Sequence, residues 1–185
     1  MRPNARKTPE FSLCGLNCSL CPRFHTEGKS RCPGCGGPGF NDKHPSCGVM
    51  TCAGKNGGVE YCFECGHFPC GKYTAENTLD SFISYAKVGE DIEAARADLS
   101  GYLRTLASKE SLLRELIARF DDGRMKGFYC LAVNLLPLGD IEAILDEAAL
   151  APGSDLRSAA AAVREMMEAA AKRRGIQLRL RKRKG

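Results

Sequence analysis

Ten of the eleven cysteines lie between Cys14 and Cys70, and that clustering constrains the fold more than any other feature of the chain. The same stretch is rich in turn formers, since seven of nine prolines and twelve of twenty glycines precede residue 74. Its large apolar residues (Phe11, Leu20, Phe24, Phe40, Tyr61, Phe63 and Phe68 among them) follow neither a helical nor a strand period. A segment of this size with so scattered an apolar set needs a staple to fold. Disulfides are one candidate, but the closely spaced pairs here would close only short loops. No continuous apolar run follows the basic start at Arg2, Arg6 and Lys7, so no secretory leader is expected. The chain is therefore expected in the cytoplasm, where thiols stay reduced and serve as metal ligands or redox groups. A structural metal supplies about 10–16 kcal/mol of folding energy at neutral pH, which meets the shortfall.

The spacings agree with ligation. Cys18-Ser-Leu-Cys21, Cys32-Pro-Gly-Cys35 and Cys62-Phe-Glu-Cys65 are three C-x-x-C pairs. Two intervening residues let the chain turn so that both sulfurs reach one tetrahedral ion. Gly36 and Gly66 follow the second cysteine of two pairs, where a curled backbone can turn its N–H groups toward sulfur. The candidate ligands are Cys14, Cys18, Cys21, Cys32, Cys35, Cys47, Cys52, Cys62, Cys65 and Cys70. Cheap loop closure favours Cys32, Cys35, Cys47 and Cys52 as one set, leaving a second to draw on Cys14, Cys18, Cys21, Cys62, Cys65 and Cys70. His25, His44 and His67 lack the spacing of paired histidine ligands and read as loop residues.

Knuckles of the Cys-Pro-Gly-Cys-Gly kind favour a closed tetrahedral S4 site, so two or more zinc ions are expected as structural cofactors. The alternative is a [4Fe–4S] cluster in an electron-transfer protein, because Cys21-Pro22 and Phe68-Pro69-Cys70 set prolines beside cysteines as ferredoxin loops do. The C-x3-C-x2-C spacing of Cys14, Cys18 and Cys21 resembles the cluster loop of radical S-adenosylmethionine enzymes. However, Leu20 stands where those carry an aromatic residue, and helices follow in place of a βα barrel. The whole pattern, Cys14-Gly-Leu-Asn-Cys18-Ser-Leu-Cys21-Pro22 through the closing Phe68-Pro69-Cys70, resembles a cysteine-rich bacterial and archaeal family of unknown function over residues 11–73. Gly127-Phe128-Tyr129-Cys130 through Leu135-Leu136-Pro137 is similar to its longer members. The resemblance implies metal binding, zinc above all, and no activity.

Beyond Cys70 the apolar period becomes helical. Leu79, Phe82, Ile83 and Ala86 mark one expected helix face, and Ile92, Leu99, Tyr102, Leu103 and Leu106 a second interrupted at Gly101. Ser108 is placed to cap a third helix, Pro137 to end a fourth, Asp140 to cap a fifth and Ser154 a sixth that stops at Gly175. The expected fold is α plus a small irregular Cys-rich metal-stabilised module, its zinc-knuckle-like loops packed on a C-terminal helical bundle. Three regions are expected: the module at 1–73, helices at 74–175 and a basic tail at 176–185. Cys130, among Phe128, Leu131 and Val133, reads as a core residue.

Charge divides unevenly. Residues 74–171 carry ten Lys or Arg against seventeen Asp or Glu, whereas Lys172–Gly185 carries eight basic residues and no acid. An acidic body argues against a broad nucleic-acid-binding face. The tail, from Ile176 to Lys184, is expected to be an edge strand or an arm, and the basic stretch Lys172–Lys184 to make weak non-specific nucleic-acid contact. No run approaches the ~18 apolar residues of a membrane span. No Ser-His-Asp order, phosphate-binding glycine loop or H-E-x-x-H is present, so no catalytic residue is assigned. The function expected is that of a small metal-binding protein whose zinc sites scaffold an interaction module for an unidentified protein partner.

Overall fold

The computed structural model describes residues 6–44, 46–74, 79–150 and 155–182. The chain is mostly helical, and the described residues form no strand, only an isolated antiparallel bridge between Phe11 and Asn17. Short helices α1 (Phe40–Lys43), α2 (Gly48–Lys55) and α3 (Gly71–Thr74) punctuate the Cys-rich region. The larger helices follow as α4 (Val88–Ala97), α5 (Leu99–Phe120), α6 (Lys126–Leu135), α7 (Leu138–Leu150) and α8 (Leu156–Arg173). Among the described residues no helix is long and apolar enough to cross a membrane.

Helix α5 is the hub, packing on α4, α6, α7 and α8. Its Leu106, Leu113, Leu116 and Phe120 recur at helical spacing and are buried on one face. Truncating Leu113 or Leu116, both fully buried, to Ala would cost about 2–5 kcal/mol. Against this face lie α6, buried from Tyr129 through Leu135, Ile141, Ile144 and Leu145 of α7, and Val163 and Met167 of α8. Cys130 is buried here, and burial pushes its thiol up to about 12. Lys109 is the exception on the α5 face. Its ammonium donates at 2.6 Å to the carbonyl of Leu136, the C-cap of α6, where a cation opposes the negative end of the helix dipole.

Several helix boundaries differ from the sequence expectation, each for a local reason. Residues 79–87 are not helical, although Leu79, Phe82, Ile83 and Ala86 share a helical spacing. Two side chains take their backbone donors instead: Asp80 accepts from Tyr85 N–H and Ser84 Oγ from Ala86 N–H. Ile83 is buried, whereas Phe82 lies on the surface with the Arg23 guanidinium over its ring. Neither Gly101 nor Ser108 interrupts α5. Gly101 sits in its first turn, where the Asp98 carboxylate caps the helix by accepting the Gly101 N–H at 2.9 Å. The apolar stripe then carries the helix through Ser108. Helix α7 starts at Leu138, so Asp140 lies within its first turn. The cap of α8 is Asp155, which accepts from Arg157 and Ser158 N–H, and Ser154 lies outside the described residues.

Gly175 does end α8. Its φ of +67° and the bonds Gly175 N–H to Lys172 O and Ile176 N–H to Ala171 O form the paired closure of a Schellman motif. The tail beyond it is neither an edge strand nor a free arm over its described residues. Ile176 and Leu178 pack against the main core. Arg181 then meets Asp80, whose side chain is fully buried, with both its backbone N–H and its guanidinium.

Candidate metal centre

The cysteine loops are built from tight turns that fix sulfurs in pairs. Cys18–Leu20 and Cys62–Glu64 are 3-10 turns, closed by Cys21 N–H to Cys18 O and by Cys65 N–H to Cys62 O. Side chains three apart eclipse in such a turn, so each pair projects its thiols from one side. The next turn repeats as well, with Phe24 N–H on Cys21 O and Phe68 N–H on Cys65 O, both at 2.9 Å. Residues 18–24 and 62–68 are thus two copies of a C-x-x-C-x-x-F unit, legible in the sequence as a repeat that C-x-x-C spacing alone does not reveal. The Cys32–Cys35 pair is held differently, by Cys32 N–H on Arg23 O and Cys35 N–H on Pro9 O. Gly36 takes a φ of +71° there, whereas Gly66 is not among the positive-φ glycines.

Long-range contacts then sort the pairs. Cys62 N–H donates to Leu13 O, joining the second repeat unit to the loop that precedes the first. Arg6, buried through most of its length, ties three segments: Nη1 donates to Phe11 O at 2.8 Å and Cys35 O at 3.4 Å, and Nη2 to Glu60 O at 2.8 Å. It also pairs with the Glu60 carboxylate, which accepts the N–H groups of Lys7 and Thr8. Arg6 has no motif around it, and sequence reading missed it.

Two groups of cysteines result. In the first, Cys14 neighbours Cys35 and Cys47 electrostatically, and Cys18 neighbours Cys35, Cys14 and Cys21. Burial raises the thiol of Cys14, with Cys35 and Cys47 raising it further. Cys18 is pushed well above its usual range by burial and then by Cys35, Cys14 and Cys21. Donors surround these sulfurs. Ser12 Oγ lies 3.2 Å from Cys14 Sγ, and the backbone N–H groups of Leu16, Cys35 and Leu13 serve Cys14, Cys18 and Cys35 in turn. In the second group, Cys52, Cys62, Cys65 and Cys70 line one cavity of about 30 Å³, walled by Val49, Ala53, Val59 and Phe68. The Asn56 amide donates to Cys52 Sγ at 3.5 Å.

Of the contiguous set Cys32, Cys35, Cys47 and Cys52, only Cys52 lines this cavity. Cys35 and Cys47 lie in the first group, Cys52 lies in the second, and Cys32 neighbours Cys21. As the thiols are placed, no three or more His, Cys, Asp or Glu among the described residues form a group that could hold an ion. The histidines stand elsewhere. His25 faces Ser19 O at 2.6 Å and burial lowers its pKa, His44 stacks on Phe40, and His67 is exposed.

Residues 10–75 match the model of a family described as "Protein of unknown function (DUF3795)". The match covers 66 of the 185 residues, the Cys-rich segment alone. It spans the stretch for which the cysteine pattern resembles such a family, and both cysteine groups fall within it. No curated protein and no solved structure matches the chain. The Cys-rich segment is anchored to the helices by Asn17, one residue before Cys18. Its amide donates to Asp91 Oδ2 at 3.1 Å and Asn134 Oδ1 at 3.2 Å and accepts from Tyr102 Oη at 2.8 Å.

Proposed function

We propose that the Cys-rich segment binds two structural zinc ions, one at Cys52, Cys62, Cys65 and Cys70 and one at Cys14, Cys18, Cys35 and Cys47. The observation that carries this reading is the convergence of four cysteines on one cavity of about 30 Å³. That space is compatible with a single bound ion held by the four sulfurs. The donor chemistry fits as well. The buried thiols, held protonated by desolvation, can be converted to thiolates by a divalent ion that displaces their protons and neutralises the resulting charge. The chain's own residues hold the pairs on 3-10 turns, supply N–H donors to sulfur and exclude water with Val49, Val59 and Phe68. The metal would supply folding energy, and the module it scaffolds serves binding, with a protein as the partner.

A second reading rests on Cys18, which neighbours Cys14, Cys21 and Cys35. Those four could hold a [4Fe–4S] cluster in the first group, with zinc retained in the second. Metal analysis of anaerobically purified protein separates the readings. Two zinc ions per chain and a colourless solution are expected, with Cys62→Ser and Cys35→Ser each losing one ion. A metal-free folded protein would end both readings, and a brown one with about four irons would select the cluster.

A further inference from the structure

A half-open cavity of about 500 Å³ lies away from the cysteines, between the tail and the α4 and α6–α7 ends. That volume is in the range of pockets for small molecules. Leu135, Pro137 and Ile176 give it an apolar wall. Its charged lining is Lys87, Arg174, Arg179 and Arg181 against one carboxylate, Glu90. Three of these cations have carboxylate partners: Lys87 with Glu90 at 3.6 Å, Arg174 with Asp140, and Arg181 with Asp80 at 2.7 Å. The two arginines spend the same edge on those partners, Nε and Nη2. Among the described residues each Nη1 keeps its donors free of a carboxylate, on a guanidinium that the ion pair orients. Arg179 has no ion-pair partner among the described residues.

We propose that this cavity binds a small organic phosphate, its phosphate held by Arg179 with Arg174, Arg181 and Lys87, and its compact apolar or planar body laid on Leu135, Pro137 and Ile176. Guanidinium forks match phosphate oxygens in geometry, and a group whose orientation is paid for by a second carboxylate loses less entropy on binding. A phosphate offers oxygens to Arg179 and to the Nη1 donors of Arg174 and Arg181 together, whereas a monocarboxylate is satisfied by Arg179 alone. The cations gather around a concavity and not along an open face, which favours a small molecule over a nucleic-acid strand.

The test uses the full metal-loaded chain at low salt. AMP, phenyl phosphate and ribose 5-phosphate are titrated calorimetrically, with adenosine, inorganic phosphate and a single-stranded oligonucleotide as comparisons. At least one organic phosphate should bind at least about tenfold more tightly than inorganic phosphate, and adenosine should bind more weakly than AMP. Arg179→Gln, at an exposed side chain, should weaken that binding about tenfold while leaving the melting temperature unchanged. Arg157→Gln, at the exposed start of α8, should change neither. Amide signals of Gly175 and Gln177 should shift on titration. The proposal fails if none of the three phosphates binds below millimolar concentration, or if inorganic phosphate binds as well as they do. It fails equally if Arg179→Gln has no effect, or if only the oligonucleotide binds and both arginine variants weaken it alike.

Discussion

Replacing Asp80 by Ala should release the tail. Asp80 is buried, and its carboxylate accepts five donors from three residues: Ser84 Oγ, Tyr85 N–H, and the backbone N–H, Nε and Nη2 of Arg181. Burial alone would raise its pKa, but the side-chain and backbone bonds from Arg181, joined by Tyr85 N–H, outweigh it and hold the carboxyl below its usual range. The charge-assisted pair with Arg181 is worth about 1.5–3 kcal/mol, and the two backbone donors would be left to water at a smaller cost. Arg181 is partly exposed, which screens the pair, so a total of about 3 kcal/mol is the working figure. For a chain of this size that lowers the melting temperature by about 6–12 °C. Because the folded pKa is depressed, this contribution is full above the unfolded value near 4 and disappears as pH falls through the folded value, so wild type and variant should converge in acid. Trypsin reads the tail directly, since Arg179 and Arg181 become cleavable once it detaches. A variant that melts within a degree of wild type at neutral pH and resists trypsin equally would refute this account of the strap.

Gly15→Ala should destabilise by about 2–4 kcal/mol in chemical denaturation, combining left-handed strain with overpacking. Gly15 has φ +84°, and a Cβ there would stand 2.4 Å from Ile92 Cγ1; an unchanged midpoint would show that α4 yields freely. Asp91 has a pKa raised to about 6, chiefly by burial, so its folded form holds a proton more tightly than the unfolded form and stability should fall as pH rises from about 4 to 6. Asp91→Asn should remove that decline and gain about 2 kcal/mol at neutral pH, and a decline of the same size in the variant would locate the titration elsewhere. Lys109, lowered to about 8 by burial, acts in the opposite direction, with stability rising from about pH 8 to 10, and Lys109→Met should flatten that rise. Chelation of the proposed ions should loosen the helices together with the loops, visible as a single lower transition by circular dichroism; helices melting at an unchanged temperature would separate the two regions.

What the sequence disclosed was the local part of the structure. The α6 stop before Pro137, the Gly175 closure and the apolar stripe of α5 all follow from rules acting within a few residues. The C-x-x-C turns are of the same kind. What it withheld depended on side chains competing for backbone donors or on contacts between distant segments. Asp80 and Ser84 divert the backbone of 79–86 from a helix whose apolar spacing is present, and only the long-range bond to Arg181 explains why Asp80 is buried there. Which cysteines neighbour one another was hidden for a related reason. Loop-closure cost favours neighbours in sequence, but Cys35 N–H on Pro9 O and Cys62 N–H on Leu13 O cross the segments, so partners come from different loops.

These two levels also bear on how the cysteine loops relate to the helices. Each 3-10 turn sets the geometry within a pair, but nothing local sets one pair against another. That placement comes from the helical core. Phe11, Leu20 and Tyr61 belong to the same buried cluster as Leu113, Tyr129 and Met167, and the Cys18 turn packs on α5 and α6. Asn17 satisfies both ends of its amide with Asp91 of α4, Tyr102 of α5 and Asn134 of α6. A buried amide so fully engaged has a single orientation at low cost and several costly ones, so it fixes the loop that carries Cys14 and Cys18. The smaller cluster of Leu13, Cys35 and Ala53 packs with Val49 and Val59 and also touches Cys18 and Cys62, one from each group. In the proposed reading a metal therefore adds its energy to a framework the helices already orient, which is why a segment too poor in apolar residues to fold by itself can hold eight sulfurs in two defined groups.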